Sequence, residues 1–332
     1  MTYLVYHPAG HDDELRMALV EVQAGHWRGM RDLLRVTGAR WRLRTSRTQV
    51  LAVAAARSDV VALWLREEPG CYDAWLMSAR VAVERALRAQ RKRHPQSLTF
   101  EARARTAVWE AIHRGPEDPV AWVCLLALAQ LDTRQVREEH RVLSGEWGFP
   151  SGPWGLLNRI DQLDPFNREA YHRVVQFLLA RDCGVDSSLA AVHDFGRYVA
   201  ARRPAVSPLL LLPAYGYVEQ KRRGAVDGAW RFFWADGPMV ACTLDAFHQW
   251  FHKVPPVLRS VGDLSLLAYA LWVGERRREA AEVFEALEPY ACREPWASVY
   301  TGSSQADPGE ALLLRARAES FSSHPSRARD RR

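Results

Sequence analysis

The chain has almost no lysine. Of its 45 basic residues only three are lysine, at positions 92, 221 and 253, and the rest are arginine. With alanine abundant, this is the residue usage of a high-GC bacterial genome. It is not the one-faced basic stripe of a dedicated nucleic-acid binder. Net charge is mild, +6 over 332 residues, and the tail Ser322–Arg332, with four Arg and one Asp, supplies half of it. We therefore expect no nucleic-acid partner. Cysteine is sparse as well: five residues, at 71, 124, 183, 242 and 292, odd in number and never in a C-x-x-C pair. That argues against a disulfide framework or a zinc site and for a reducing, cytoplasmic compartment. No run of 18 uninterrupted apolar residues is present, so no membrane span is expected. The first eight residues lack basic residues and a long apolar run, and no signal peptide is expected. G-x-S-x-G, P-loop and dinucleotide fingerprints are missing, which leans away from an enzyme and from any cofactor. Strict alternation between hairpin signals is missing too, which leaves an all-α fold.

What the chain has is helical periodicity with clear punctuation. Asp12 or Asp13 can cap a first helix, Gly25 interrupts it, and Trp27, Met30, Leu33 and Leu34 continue at helical spacing to Gly38. A basic connector is expected from Arg40 to Arg47. Further helices are expected over 48–57, Tyr72–Arg91, Leu98–Arg114 and Val120–Leu131, the last apolar nearly all round and so the most buried. The stretch 144–155 is the richest turn cluster, a boundary or a functional loop. We expect N-terminal helical repeats over 1–143, the Gly/Pro/Trp loop at 144–155, and C-terminal repeats over 156–320. A basic, disordered tail is expected over 321–332. Predicted helices in the C-terminal part include Asn167–Ala180, Val226–Ala235, Val240–Lys253 and the pair Leu258–Val273 and Arg277–Leu287.

Three segments echo one another. Each has a proline, then an acidic residue, then Ala-Trp or Ala-Tyr and an apolar run, with the aromatic at Trp75, Trp122 and Tyr171. Intervals of 47 and 49 residues suggest a repeat of helix pairs, each needing a neighbour to cover its apolar face. These units resemble tetratricopeptide-type repeats. The best stretch runs from Leu264 to Pro289, with Ala268 at the small position of the first helix and Ala280, Phe284 and Leu287 in the second. Ala24-Gly25-His26-Trp27 to Leu34 has the same flavour. The period is longer than usual for that family and its small glycine is mostly missing; the resemblance covers about two thirds of the chain. It implies a superhelix of stacked antiparallel helix pairs, and a non-catalytic scaffold that binds a partner protein or peptide in a concave groove. Aligned with the opening aromatic as the buried anchor, it implies that Arg80, Glu84, Gln130, Glu169, His172, Gln176 and Tyr269 face that groove. For any one of them an ordinary solvated face is the alternative.

Chemistry-bearing patterns are few. Glu110…His113 and Glu169…His172 are E-x-x-H pairs, and Glu84 with Glu138 or Glu139 would complete a di-iron set. Glu169 on a first turn and His113 on a last turn fit helix-end electrostatics better, and no metal is expected. Asp245, His248 and His252 share a face beside Phe247, Trp250 and Phe251, which reads as packing. The run Trp230, Phe232, Phe233 and Trp234 is the alternative site. With the region to Phe251 it could line a pocket for a small-molecule ligand or substrate.

Overall fold

The computed structural model describes residues 3–145, 148–181, 183–202, 206–222, 237–300 and 307–322. Among them the chain is all-α, with sixteen α-helices and no β structure beyond two isolated bridges. Trp230, Phe232, Phe233 and Trp234, the helix expected at 226–235 and the tail after Ser322 lie outside the described residues. No single described helix is long and apolar enough to cross a membrane. The chain divides into two compact units, Asp12–Val192 and His193–Arg332 together with Met1–His11. The turn-rich stretch 144–155 lies inside the larger unit.

The larger unit holds α1 Asp13–Gln23, α2 Arg28–Thr37, α3 Trp41–Ala55, α4 Val60–Glu67 and α5 Tyr72–Arg91. It continues with α6 Ser97–Arg114, α7 Pro119–Leu128, α8 Trp154–Leu163 and α9 Arg168–Ala180, and reaches into α10, Val185–Ala201. The punctuation acts as the sequence implies. Asp12 caps α1 by accepting from the Leu15 amide at 3.0 Å, and Gly38 closes α2 with φ +54°. Asp118 and Asn167 cap α7 and α9, accepting from Val120 and Ala170 at 2.9 and 3.0 Å. In α7 every residue from Val120 to Leu128 except Trp122 is buried. Each such Leu or Val contributes about 1.5–3 kcal/mol by leaving water.

Two of the three echoes share one local geometry. The Trp75 indole donates to the Pro69 carbonyl at 2.8 Å, and the Trp122 indole donates to Pro116 at 2.9 Å. An arginine from the next helix lies over each ring, Arg114 at 4.0 Å from Trp75 and Arg159 at 5.6 Å from Trp122. In these two units the aromatic is half-buried, so it is not the core anchor. Ala74, Ala121 and Ala170, each one residue earlier, are fully buried. Only in the third unit is the aromatic itself core. Tyr171 is buried and its hydroxyl donates to Asp161 at 2.6 Å.

The segment expected as a basic connector is the first half of α3. Leu43, Arg44, Arg47, Thr48, Leu51, Ala52 and Ala55 form its buried face at helical spacing, so two arginines sit on an otherwise apolar stripe. Arginine is a good helix former, and charge in a connector pattern hid the periodicity.

The second unit contains α11 Leu212–Arg222, α12 Pro238–Asp245, α13 Val261–Val273, α14 Arg277–Leu287, α15 Trp296–Val299 and α16 Pro308–Ser322. A π-helical stretch, Ala246–Phe251, extends α12, and Phe247, Trp250 and Phe251 in it are buried as packing. Trp296 is at the centre of the core. Its indole donates to Ser265 at 2.8 Å, and Tyr269 meets it edge-on with centroids 5.4 Å apart. The N-terminal segment joins this unit through a parallel bridge: the Val5 amide donates to Pro289 and the Ala291 amide to Val5, both at 2.9 Å.

Candidate functional site

The residues expected to line a groove do not share an open face. Arg80 and Glu169 are 2% exposed, and they meet as a bidentate pair with both contacts at 2.7 Å. Arg173 approaches the same carboxylate at 2.8 Å and reaches Glu84 at 3.3 Å. Burial works against the Glu169 charge, and Arg80 with Arg173 overcome it, holding the pKa at about 2. Arg80 stays charged for the reciprocal reason. Burial also pushes the Cys124 thiol in this neighbourhood up to about 12, which makes it an inert core residue.

Two further arginines, both from α3, are buried in the same manner. The Arg44 guanidinium lies between Asp73 and the α7 cap Asp118, at 2.8 Å from the latter. Arg47 contacts Asp12 at 2.8 and 2.9 Å, Glu14 at 2.6 Å and the Thr37 hydroxyl at 2.8 Å. Thr45 accepts from Arg80 through its carbonyl and from the α9 cap Asn167 through its hydroxyl, at 3.4 and 3.2 Å. Helix α3 thus packs against α5, α7 and α9.

Of the expected groove residues, Arg80 and Glu169 are thus interior, and Glu84 beside them is half-buried. Through Thr45, the chain's own helix α3 meets the α9 cap Asn167 and Arg80 in the middle of α5. The other expected residues are scattered. His172 and Gln176 are half-buried on α9, and the half-buried Gln130 donates to Ala127 at 2.8 Å. Tyr269 is 2% exposed in the core of the second unit. Both Glu169 oxygens are taken by arginine, and among the described residues no group of three His, Cys, Asp or Glu is arranged to hold a metal ion. His248 and His252 are exposed with rings 6.1 Å apart, and His252 has Glu282 at 3.8 Å.

An open cleft of about 300 Å³ lies instead along α4, α5 and α6. Its floor is Val61, Leu65, Val81, Ala82 and Phe100, and three arginines stand around it, Arg66, Arg85 and Arg103. Arg85 is fixed, donating to the Ser58 and Ala56 carbonyls at 2.6 and 3.2 Å, where α3 ends. Arg66 and Arg103 are exposed, and neither pairs with a carboxylate among the described residues. Two large apolar side chains on the same helices face solvent, Leu63 at 38% and Leu98 at 78% exposure. Nothing in the local sequence marks this cleft; three helices between Val60 and Arg114 must assemble before it exists.

One further pair escaped the sequence reading. His140 is fully buried after α7, and its Nδ1 lies 2.8 Å from the Asp132 carboxylate. Among the described residues its Nε2 has no partner. The chain matches no protein-family model, no curated protein and no solved structure.

Proposed function

We propose that this protein is a non-catalytic scaffold of tetratricopeptide-like helix pairs that docks an acidic, amphipathic segment of a partner protein. The docking surface is the cleft along α4, α5 and α6. The observation that carries this reading is an apolar floor framed by two unpaired arginines and one anchored arginine. Leucine-type side chains from a partner would fill the floor, and carboxylates would meet Arg66, Arg85 and Arg103. Rim charges of this kind set association rate and salt dependence, while the apolar floor supplies affinity. A groove across α5, α7 and α9, the first site the repeat pattern suggests, is the weaker docking surface because α3 packs there. The alternative reading, a small-molecule ligand among the aromatics at 230–251, has less support: Phe247, Trp250 and Phe251 are core side chains.

The test compares capture from native lysate by the full chain and by an Arg66→Glu/Arg103→Glu variant. The expected result is a protein retained at micromolar levels by the native chain. Retention should fall at least tenfold in the variant and in high salt, with the melting midpoint unchanged because both side chains are exposed. Retention that ignores the charge reversal, or no retained protein while a purified metabolite raises the melting temperature, removes this reading.

A further inference from the structure

The segment Asp132–Val142, which follows α7, is held by a small number of polar contacts around one buried imidazole. The Asp132 carboxylate accepts from the amides of Val136 and Arg137 at 2.8 and 3.0 Å and from His140 Nδ1 at 2.8 Å. Gln135 donates to the His140 carbonyl at 2.8 Å and to the Ser151 carbonyl at 2.7 Å. Gly152 closes the segment, donating to the Val142 carbonyl at 2.9 Å. Little apolar burial supports it: Val136 and Val142 are 72% and 40% exposed. His140 is its one fully buried side chain.

With Asp132 accepting at Nδ1, the neutral ring carries its proton there and leaves Nε2 as a lone pair. That nitrogen is buried and has no partner among the described residues. A second proton on the ring must go to Nε2, where none of the described residues accepts it. The cost of a buried, unpaired N–H is added to the cost of burying the cation.

We propose that the Asp132–His140 pair is a pH-sensitive latch, which closes the segment Asp132–Val142 while the imidazole is neutral and releases it when the imidazole takes up a second proton. The groups facing His140 divide. Burial disfavours its charge most strongly, Asp132 and Glu139 favour it, and Arg105 on α6 opposes it; the balance lowers its pKa from the ordinary histidine value. The carboxylates do not act alone, because Arg105 pairs with Glu139 at 2.6 Å and Arg137 with Glu101 at 3.3 Å. Glu138 and Arg141 are exposed. The charged groups of α8 are engaged elsewhere, Arg159 with Glu117 and Asp161 with Tyr171. A histidine whose pKa is lowered when closed and ordinary when open binds protons better in the open form. The closed form is therefore favoured in full above about pH 6.5, and the open form gains up to about tenfold per pH unit below that value.

The test is nuclear magnetic resonance on the isotope-labelled full chain between pH 7.5 and 5. The Val136, Arg137 and Gly152 amides are followed by hydrogen exchange, as ratios to the Gly38 and Gly115 amides, which removes the intrinsic pH dependence. The His140 ring is titrated in the same samples. The expected result is loss of protection by up to about tenfold per pH unit below about pH 6.5, with the ring becoming charged over the same range. In His140→Gln that pH dependence should vanish, whether the glutamine keeps the segment closed or leaves it open throughout. Protection ratios independent of pH in the native chain would overturn the proposal. So would a ring that titrates at the ordinary value with the segment closed, or a pH dependence that survives in His140→Gln.

Discussion

Among the described residues, the unit Asp12–Val192 buries seven carboxylate or guanidinium side chains: Asp12, Arg44, Arg47, Arg80, Asp118, Asp164 and Glu169. The other unit buries only Glu219 and Asp263, and its centre is Trp250, Trp296, Tyr269 and Phe284. Both interiors are built from helices, yet they are specified differently. An apolar core accepts many arrangements of similar volume. A buried arginine accepts only those in which a carboxylate meets it, because an uncompensated charge costs several kcal/mol. In the first unit the pairs Arg47–Asp12, Arg44–Asp118 and Arg80–Glu169 join segments 35, 74 and 89 residues apart. The charges therefore act as registration marks between helices, and α3 carries two of the three arginines.

The largest expected effect separates registration from stabilisation. Arg80→Ala leaves Glu169 buried with Arg173 alone and should destabilise the larger unit by ~3–5 kcal/mol. Arg80→Met combined with Glu169→Leu should recover most of that loss, because an apolar pair needs no partner. Urea unfolding followed by hydrogen exchange on peptides from each unit is the measurement. If the double variant is as unstable as the single, the pair supplies net stability and the registration argument fails. Exchange in the second unit serves as the internal control.

A smaller effect comes from acid. The Glu169 pKa in the folded chain is about 2, below its ordinary value of 4.5. The stability this carboxylate contributes is therefore complete above about pH 4.5 and is lost as pH falls toward 2, a loss of roughly 3 kcal/mol. In the second unit Glu319 is also held below its ordinary range, by bonds from Arg315 and Trp272, but it is partly exposed and its contribution is smaller. The larger unit should open first in an acid titration, and Glu169→Gln should flatten that difference while lowering stability at pH 7. Simultaneous opening of the two units, or earlier opening of the second, would contradict the comparison.

The smallest effect concerns a single hydrogen bond at the edge of the charged interior. Tyr171→Phe keeps the buried ring and removes the 2.6 Å bond to Asp161. It should cost about 1 kcal/mol, read as a shift in urea midpoint at constant slope. Tyr171→Ala, which empties the ring's place in the core, should cost ~3 kcal/mol or more. Equal costs for the two would mean that the hydroxyl, not the ring, holds α9.

Tyr171, read from the repeat as the buried anchor of its unit, is core, and Val174, Val175 and Leu178 on the same helix are buried with it. The helices Tyr72–Arg91 and Arg277–Leu287 were legible to the residue, since proline, glycine and charged turns bound them. The face carrying Arg80, Glu84 and Glu169 was legible as a helical face but not as an interior. Whether a charged stripe meets water or another charge depends on a helix more than 30 residues away. His140 and Asp132 offered no local signal at all.

What the sequence by itself determined is the helical class, most helix limits, the recurring Pro-to-Trp junctions and the apolar faces. These follow from caps, breakers and 3.6-residue spacing within one segment, where neighbours in sequence are neighbours in space. Only the tertiary structure decided that α3 is a helix laid against α5, α7 and α9 with its arginines inward. It also decided that Glu169 is a core residue, and that three arginines surround an open apolar cleft. Those outcomes rest on electrostatic partners and burial brought together from distant parts of the chain, which local periodicity does not encode.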